Sequence, residues 1–425
     1  LAKIDLLKNK IVEGTFWLSL SSLFGKFFSA FAVILTAKYI GKENFGYFST
    51  IQNTIIFLSV FSIFGIDISF TKYVSQYKDS KKKLSEIVSF LFFSSFILVV
   101  FLSIVVFLFS ENISKYFLND INLSFYIVLM IPCLVLISLN AIISGFFIGL
   151  QKFKNISIIN TIGAMSYLIS VLITTSKFNL IGAFFAFSIY NLALFLTNIF
   201  YCIKSFKEEG IKLIFSKSVF SQFKILTEFS IPSFLSSLIV AFTLWYPLSI
   251  ITYTDNGYQE NAIFNASSQI KNMTLIIPNA LSSVLLPFFT SINKTNDLKK
   301  SLYTNLFYSL IISLVIFIVT FFSSPILMSL SGKDFINGYY VLNLLVLSTI
   351  FQNLSSVLGQ VILSLGKVWE GFFINLLWAF ITLNVFIFLG EINAEGFAYS
   401  ILISYIVHCI NSIILVKIKL KKNEH

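Results

Sequence analysis

Lys26 and Lys271 each fall inside a long apolar block, where a charge is expensive. An ammonium at the centre of a bilayer costs about 2.5–3.5 kcal/mol on insertion scales, so it persists where a cavity, a counter-ion or a function offsets it. Thr15, Ser19, Ser22 and Ser29 share a helical face with Lys26, at successive spacings of three and four. They form one polar stripe on an otherwise apolar helix, and such a stripe must face protein or water. Lys271 has Ser267 and Thr274 on its face, with Gln269 and Asn272 beside it, and Pro278 and Pro287 follow. The prolines predict a kinked or locally opened helix of the kind that lines a substrate path. Two lysines at similar depth, one from each half of the chain, could meet across a central cavity and offer two positive charges to an anionic group. At low dielectric that attraction far exceeds its value in water. The purely structural alternative is a pair of buried ion pairs, or side chains snorkelling to an interface.

The elements that must position these lysines are legible from composition. Apolar residues make up 57% of the 425 residues and charged residues 12%, and the mean hydropathy is +0.88. Stretches of about 20 apolar residues recur end to end, each long enough to cross a hydrocarbon core of about 30 Å. Backbone groups find no water there and must pair within the segment, so the spans are helices. The expected fold is all-α: a polytopic membrane protein of twelve spans. They run over 15–37, 45–67, 86–109, 123–149, 156–176, 180–203, 229–253, 262–290, 302–324, 339–365, 369–389 and 395–416. The first span has no small-residue cleavage site and carries Lys26 at its centre, so it reads as a retained helix.

All 30 cationic side chains are lysine. With the N-terminus inside, most fall in inside segments, and the outside loops hold Lys38, Lys42, Lys115, Lys177 and Lys333. That asymmetry is the positive-inside pattern, which accounts for the net charge of +11 without nucleic acid and puts both termini in the cytoplasm. Cys133, Cys202 and Cys409 are isolated, and the two histidines, His408 and His425, form no cluster, so neither a disulfide framework nor a metal site is expected.

Four short matches recur in order at nearly constant separation. Leu20–Leu23 returns at Leu235–Leu238, Glu43-Asn44 at Glu260-Asn261, Ile159-Asn160 at Ile374-Asn375, and Phe185–Ser188 at Phe397–Ser400, all 212–217 residues apart. Span 1 thus lies over span 7 and span 6 over span 12. The expectation is two six-helix bundles, 1–203 and 229–425, related by a pseudo-two-fold along the membrane normal. The segment 204–228 joins them as a cytoplasmic amphipathic linker, with Ile211, Phe215, Val219, Phe223 and Leu226 at helical spacing. A second such segment follows span 2, with Phe70, Tyr73, Val74 and Tyr77 on one face.

Asp67 closes span 2 and Glu228 opens span 7 on the same side, where either could act as counter-ion to Lys26 or gate the inner mouth. Gln52, Asn53, Gln269 and Asn272 are amides within spans that can grip sugar hydroxyls; amides also glue helices together for about 0.6–2 kcal/mol each. No Walker loop, nucleophile elbow or zinc-protease motif is present, so a gradient- or flux-driven transporter without a cofactor is expected, not an enzyme.

The chain resembles the bacterial polysaccharide flippases, the O-antigen and repeat-unit translocases of the multidrug/oligosaccharidyl-lipid/polysaccharide exporter superfamily. The resemblance rests on Tyr39-Ile40-Gly41 with Phe45-Gly46, Phe64-Gly65-Ile66-Asp67 leading to Thr71-Lys72-Tyr73-Val74, and Gly145 with Gly149-Leu150-Gln151-Lys152-Phe153. In the second half it rests on Phe229-Ser230-Ile231-Pro232, Ile277-Pro278-Asn279-Ala280, Leu286-Pro287, Gly366-Lys367 with Trp369, and Glu395-Gly396-Phe397-Ala398. It implies a V-shaped alternating-access fold in the inner (cytoplasmic) membrane. The implied substrate is an oligosaccharide on undecaprenyl pyrophosphate, turned from the inner to the outer leaflet for O-antigen (lipopolysaccharide) or capsule synthesis. A glycan polymerase and glycosyltransferases are the implied partners. Relatives place basic residues on the first and eighth helices to bind pyrophosphate, which here are Lys26 and Lys271. Two other readings stay open: a multidrug cation antiporter of the same superfamily, which the lysines disfavour, and a non-transporting scaffold of a glycan assembly complex.

Overall fold

The computed structural model describes the backbone of residues 2–214, 221–276, 278, 285, 289, 295–365 and 367–422. It describes their side chains except at 2–24, 221, 295, 296, 368, 421 and 422. Thr15, Ser19 and Ser22 of the polar stripe therefore lie outside the described side chains. Phe215, Val219, Ile277, Asn279, Ala280, Leu286, Pro287 and Gly366 lie outside the described residues altogether.

The described residues are helical, without strands. We label the main helices α1 (Ala2–Ile63), α2 (Ile66–Tyr77), α3 (Lys81–Leu108), α4 (Ile131–Gly149), α5 (Phe153–Ser170), α6 (Ser176–Glu209) and α7 (Ile231–Ile251). The remainder are α8 (Gly257–Thr274), α9 (Thr295–Ser329), α10 (Tyr339–Ser364), α11 (Val368–Leu389) and α12 (Ala394–Lys422). Nine helical stretches among the described residues are long and apolar enough to cross a membrane. Two of them are double. The 62 residues of α1 would run about 93 Å unbroken, and they divide at Gly41, whose backbone leaves the helix at φ 77, ψ 170. Residues 153–209 divide at Asn179, at φ 50, ψ −128, just after a π turn over Val171–Thr175. Eleven of the twelve expected spans are thereby located. The eighth begins in α8, and most of its remaining stretch is outside the described residues. Large apolar side chains point outward along the spans, Phe388 at 92% exposure and Phe322 at 78%, as lipid contact requires and water would not tolerate.

The chain packs as two compact units. One comprises Leu1–Ala32 with Phe48–Trp245, the other Val33–Tyr47 with Tyr246–His425. In the first, α2 is the keystone. Its Phe70 and Val74 are fully buried, with Tyr73 and Tyr77 packed beside them, in a core shared with Leu84, Ile87, Phe90, Phe146 and Phe147. The apolar stripe read after span 2 thus faces protein core, while Lys72 lies outside with its Nζ 3.9 Å from the Phe229 ring centroid. The segment 204–228 is not one helix. Residues 204–209 extend α6, and 211–214 are irregular. The Lys212 and Ile214 amides donate to the Ser85 and Ser89 hydroxyls of α3, at 3.1 and 2.8 Å. Ile211 and Ile225 are buried in the α2 core, whereas Phe223 is exposed.

Span 7 belongs to this first unit as far as Trp245 because an aromatic ladder ties it to span 2. Gly65, in the left-handed region at φ 67, lets the chain turn between α1 and α2 and admits the Ser230 backbone closely. Above it the Ser69 and Ser230 hydroxyls meet at 2.7 Å. Phe64 and Phe61 pack on Phe234, and Phe57 stacks on Trp245 at 4.3 Å and 5°. Trp245 Nε1 donates to Thr54 Oγ1 at 3.0 Å in the buried interior. Thr54→Val keeps the shape and removes the acceptor, so it should destabilise the protein by about 1–2 kcal/mol. Thermal unfolding of the purified protein in detergent checks this, and adding Trp245→Phe should recover part of the loss.

The second unit holds the α1 turn by similar means: Phe45 meets Phe335 at 5.9 Å and Tyr47 meets Tyr258 at 4.3 Å. Its helices α8 to α12 enclose two cores, one around Leu345, Phe386 and Phe397, the other around Val361, Leu358 and Leu302.

Candidate functional site

In the second unit α8 is fixed at its start and carries Lys271 near its end. Asn261 Nδ2 donates to the Leu248 carbonyl at 2.9 Å, and Glu260 Oε2 accepts the Ala394 amide at the start of α12 at 3.0 Å. One turn on, Phe264 stacks on Phe397 at 4.5 Å, and Ser267, buried on the same face, reaches Met328 Sδ. Both helices then advance by two turns, in parallel, to the meeting of Lys271 with Tyr405. The ammonium lies 5.9 Å from the ring centroid, at the outer limit of a cation–π contact. Lys271 is half-buried and has no carboxylate partner among the described residues.

In the first unit Lys26 is carried by α1. Gly25 lies against Asn160 of α5, and Ser29 hydrogen-bonds Tyr190 of α6, so this face of α1 packs inward. Lys26 is exposed beside that face, one turn before buried Ala30. Phe27 and Phe31, stacked at 6.4 Å, are exposed on a different side. Lys26 too has no ion pair among the described residues.

The other residues singled out from the sequence divide between the units. Gln52 and Asn53 are half-buried on span 2, Gln269 is half-buried and Asn272 exposed on α8. Buried amides elsewhere hold helices together: Asn198 Nδ2 donates to Asn140 Oδ1 at 2.9 Å, and Asn353 Nδ2 to Ser313 Oγ at 2.9 Å. Asp67 is half-buried in the first turn of α2, where its carbonyl accepts Thr71 Oγ1 at 3.1 Å. Glu228 is exposed and pairs with Lys224 at 3.2 Å, one turn back, not with Lys26. Exposed i,i+4 pairs contribute about 0.3–0.5 kcal/mol, so Glu228→Gln should leave both unfolding temperature and transport unchanged within error. Among the described residues no three His, Cys, Asp or Glu side chains converge in a way that could hold a metal. Tyr405 was missed by sequence reasoning, since a tyrosine in an apolar span has no pattern of its own.

Comparison with known proteins decides the family. The profile of the family described as polysaccharide biosynthesis protein matches residues 11–293. The chain belongs to that family. A curated relative, an uncharacterised membrane protein of Methanocaldococcus jannaschii, is 24% identical over 406 residues, covering 91% of this chain and 92% of its own. Among solved structures, lipid II flippase MurJ in an inward closed conformation is similar, with a TM-score of 0.78 and 18% identity over 94% of this chain and 87% of that one. A multidrug resistance MATE family transporter in an inward-facing conformation gives 0.77 and 13%, covering 93% and 95%. A superfamily transporter from Pyrococcus furiosus, described as having a binding pocket of reverse polarity, gives 0.71 and 14%, covering 97% and 96%. This polysaccharide biosynthesis family member therefore has an all-helical, multi-pass fold, the one it shares with these solved structures.

Proposed function

We propose that this protein is a flippase for lipid-linked oligosaccharide repeat units. It would turn undecaprenyl-pyrophosphate-linked glycan from the cytoplasmic to the outer leaflet of the cytoplasmic membrane by alternating access, with both termini in the cytoplasm. The observation that carries this reading is that Lys26 and Lys271, each far inside a span, have no carboxylate partner among the described residues. An uncompensated intramembrane ammonium calls for an anion, and a pyrophosphate supplies one with several acceptor oxygens. The family membership and the fold shared with a lipid II flippase support a lipid-linked substrate of that kind. In this scheme Lys26 and Lys271 each attract the pyrophosphate, Gln52, Asn53, Gln269 and Asn272 contact sugars, and Asp67 acts at the gate. A cavity for cationic drugs would need carboxylates in place of these lysines.

Deletion of the gene tests the reading. Loss of a surface glycan with accumulation of its lipid-linked precursor is the expected result, with drug susceptibility unchanged. An intact surface glycan together with raised susceptibility to cationic drugs would replace it with the multidrug reading.

A further inference from the structure

The second unit carries a constellation beside Lys271 that no part of the sequence reading assembled. On α11, Asn375 and Trp378 are one turn apart; on α12, so are Tyr405 and His408. The helices run antiparallel, and the two pairs fall on matching rungs. Trp378 meets Tyr405 with ring centroids 5.5 Å apart, and His408 Nε2 lies 3.1 Å from Asn375 Oδ1. Tyr405 touches His408 edge-on at 6.3 Å and is also the ring beneath the Lys271 ammonium, at 5.9 Å. Three helices thus bring an ammonium, a phenol, an imidazole, an amide and an indole into one cluster.

This cluster opens to an occupant. Asn375 is exposed although it lies on the same face of α11 as Trp378, Thr382 and Phe386, all buried. The lipid-facing residues of α11, Phe373, Phe380 and Phe388, lie on another side. Tyr405 and His408 are likewise half-open on the otherwise buried face of α12 that holds Ile401, Ser404 and Cys409. The exposure therefore falls on the inward faces of α11 and α12 and away from the lipid-facing side of α11.

Behind this surface two polar atoms are buried without a partner. Trp378 is 6% exposed, and neither its Nε1 nor His408 Nδ1 has a hydrogen-bond partner. A buried polar atom without a partner costs about 1–3 kcal/mol, and lipid tails supply none. The exposed amide of Asn375 beside the open parts of Tyr405 and His408 suits an amphipathic occupant that offers an apolar face to the rings and hydroxyls to the amide. A pyranose ring has that character.

We propose that Tyr405, Trp378, His408 and Asn375 form a sugar-binding shelf for the first residue of the glycan, next to the phosphate held by Lys271. This rests on the flippase reading and adds a location and a chemistry for sugar recognition within the second unit. Lys271 and Tyr405 are direct neighbours, so a phosphate at the ammonium would place the sugar attached to it beside the ring.

The test is equilibrium binding by the full-length protein in lipid nanodiscs, with two probes: undecaprenyl pyrophosphate, and the same lipid carrying one N-acetylglucosamine. The glycosylated probe should bind about tenfold more tightly. Asn375→Ala should erase that preference while leaving the Kd for the bare pyrophosphate unchanged; Asn375 is exposed, so its variant should not perturb folding. Lys271→Gln should weaken both probes alike. Equal binding of the two probes by the unaltered protein, or an Asn375→Ala variant that keeps the preference or weakens both probes equally, would overturn the shelf while leaving the flippase reading intact. Binding of neither probe would remove the pyrophosphate reading, and the shelf with it.

Discussion

Replacing both Lys26 and Lys271 with alanine should abolish surface-glycan export, and either change alone should lower it by about tenfold or more. The physical basis is the lost charge-assisted contact. A hydrogen bond to a charged group contributes about 1.5–3 kcal/mol, a factor of roughly 10–100 in affinity. Neither lysine has a structural ion pair among the described residues to lose, so the variants should express and fold normally. Arginine at either position keeps the charge and adds a planar fork suited to phosphate, so Lys26→Arg and Lys271→Arg should retain most export. Lys115→Ala, at an exposed lysine in the short helix after α3, should change nothing. The measurement is surface glycan in a complemented deletion strain, normalised to membrane protein level. Normal export by the double alanine variant would remove both residues from the mechanism.

Gly145→Ala should cause a large loss of folded protein. Helices α4 and α2 approach so closely that a Cβ on Gly145 would sit 2.1 Å from the Asp67 carbonyl oxygen. Thr71 Oγ1 donates across the same contact to the Gly145 carbonyl at 3.2 Å. The clash is with backbone, which cannot swing aside, so the helices must separate and the fully buried Phe70, Val74 and Phe146 lose contact. Overpacking of this kind costs about 1–3 kcal/mol, and more where backbone is met. Gly359→Ala in α10 is the matched comparison. A Cβ there meets nothing within 4 Å, and alanine favours a helix interior by about 0.5–1 kcal/mol. Fluorescence-detected size exclusion and thermal unfolding should show Gly145→Ala aggregated or markedly less stable, and Gly359→Ala unchanged or more stable. Equal behaviour of the two would contradict the close approach of α2 and α4.

How far the fold was legible follows from the range of each signal. Apolar length and lysine asymmetry act within a span, so the helical, multi-pass architecture could be read directly. The breaks at Gly41 and Asn179 fall where Lys38, Lys42 and Lys177 interrupt the apolar blocks. The attachment of span 7 to span 2 could not be read. It depends on Phe57 meeting Trp245 and Ser69 meeting Ser230, pairs separated by well over a hundred residues with no periodicity to announce them. The linker misled because helical spacing of Ile211 and Leu226 does not reveal that Ser85 and Ser89 capture the intervening backbone. At the candidate site Lys26 and Lys271 were conspicuous as charges among apolar residues. Asn375, Trp378, Tyr405 and His408 carried only two one-turn spacings on separate spans, and their meaning depends on an antiparallel register that no local pattern specifies.

The most direct test is leaflet transfer by the purified protein. Reconstituted into liposomes with an undecaprenyl-pyrophosphate-linked oligosaccharide, it should move the glycan across the bilayer, read as accessibility to an added glycosidase. Transfer that requires the protein and is lost in the Lys26→Ala/Lys271→Ala variant is the expected result. Transfer at the protein-free rate, or at the same rate with and without the two lysines, would contradict the account.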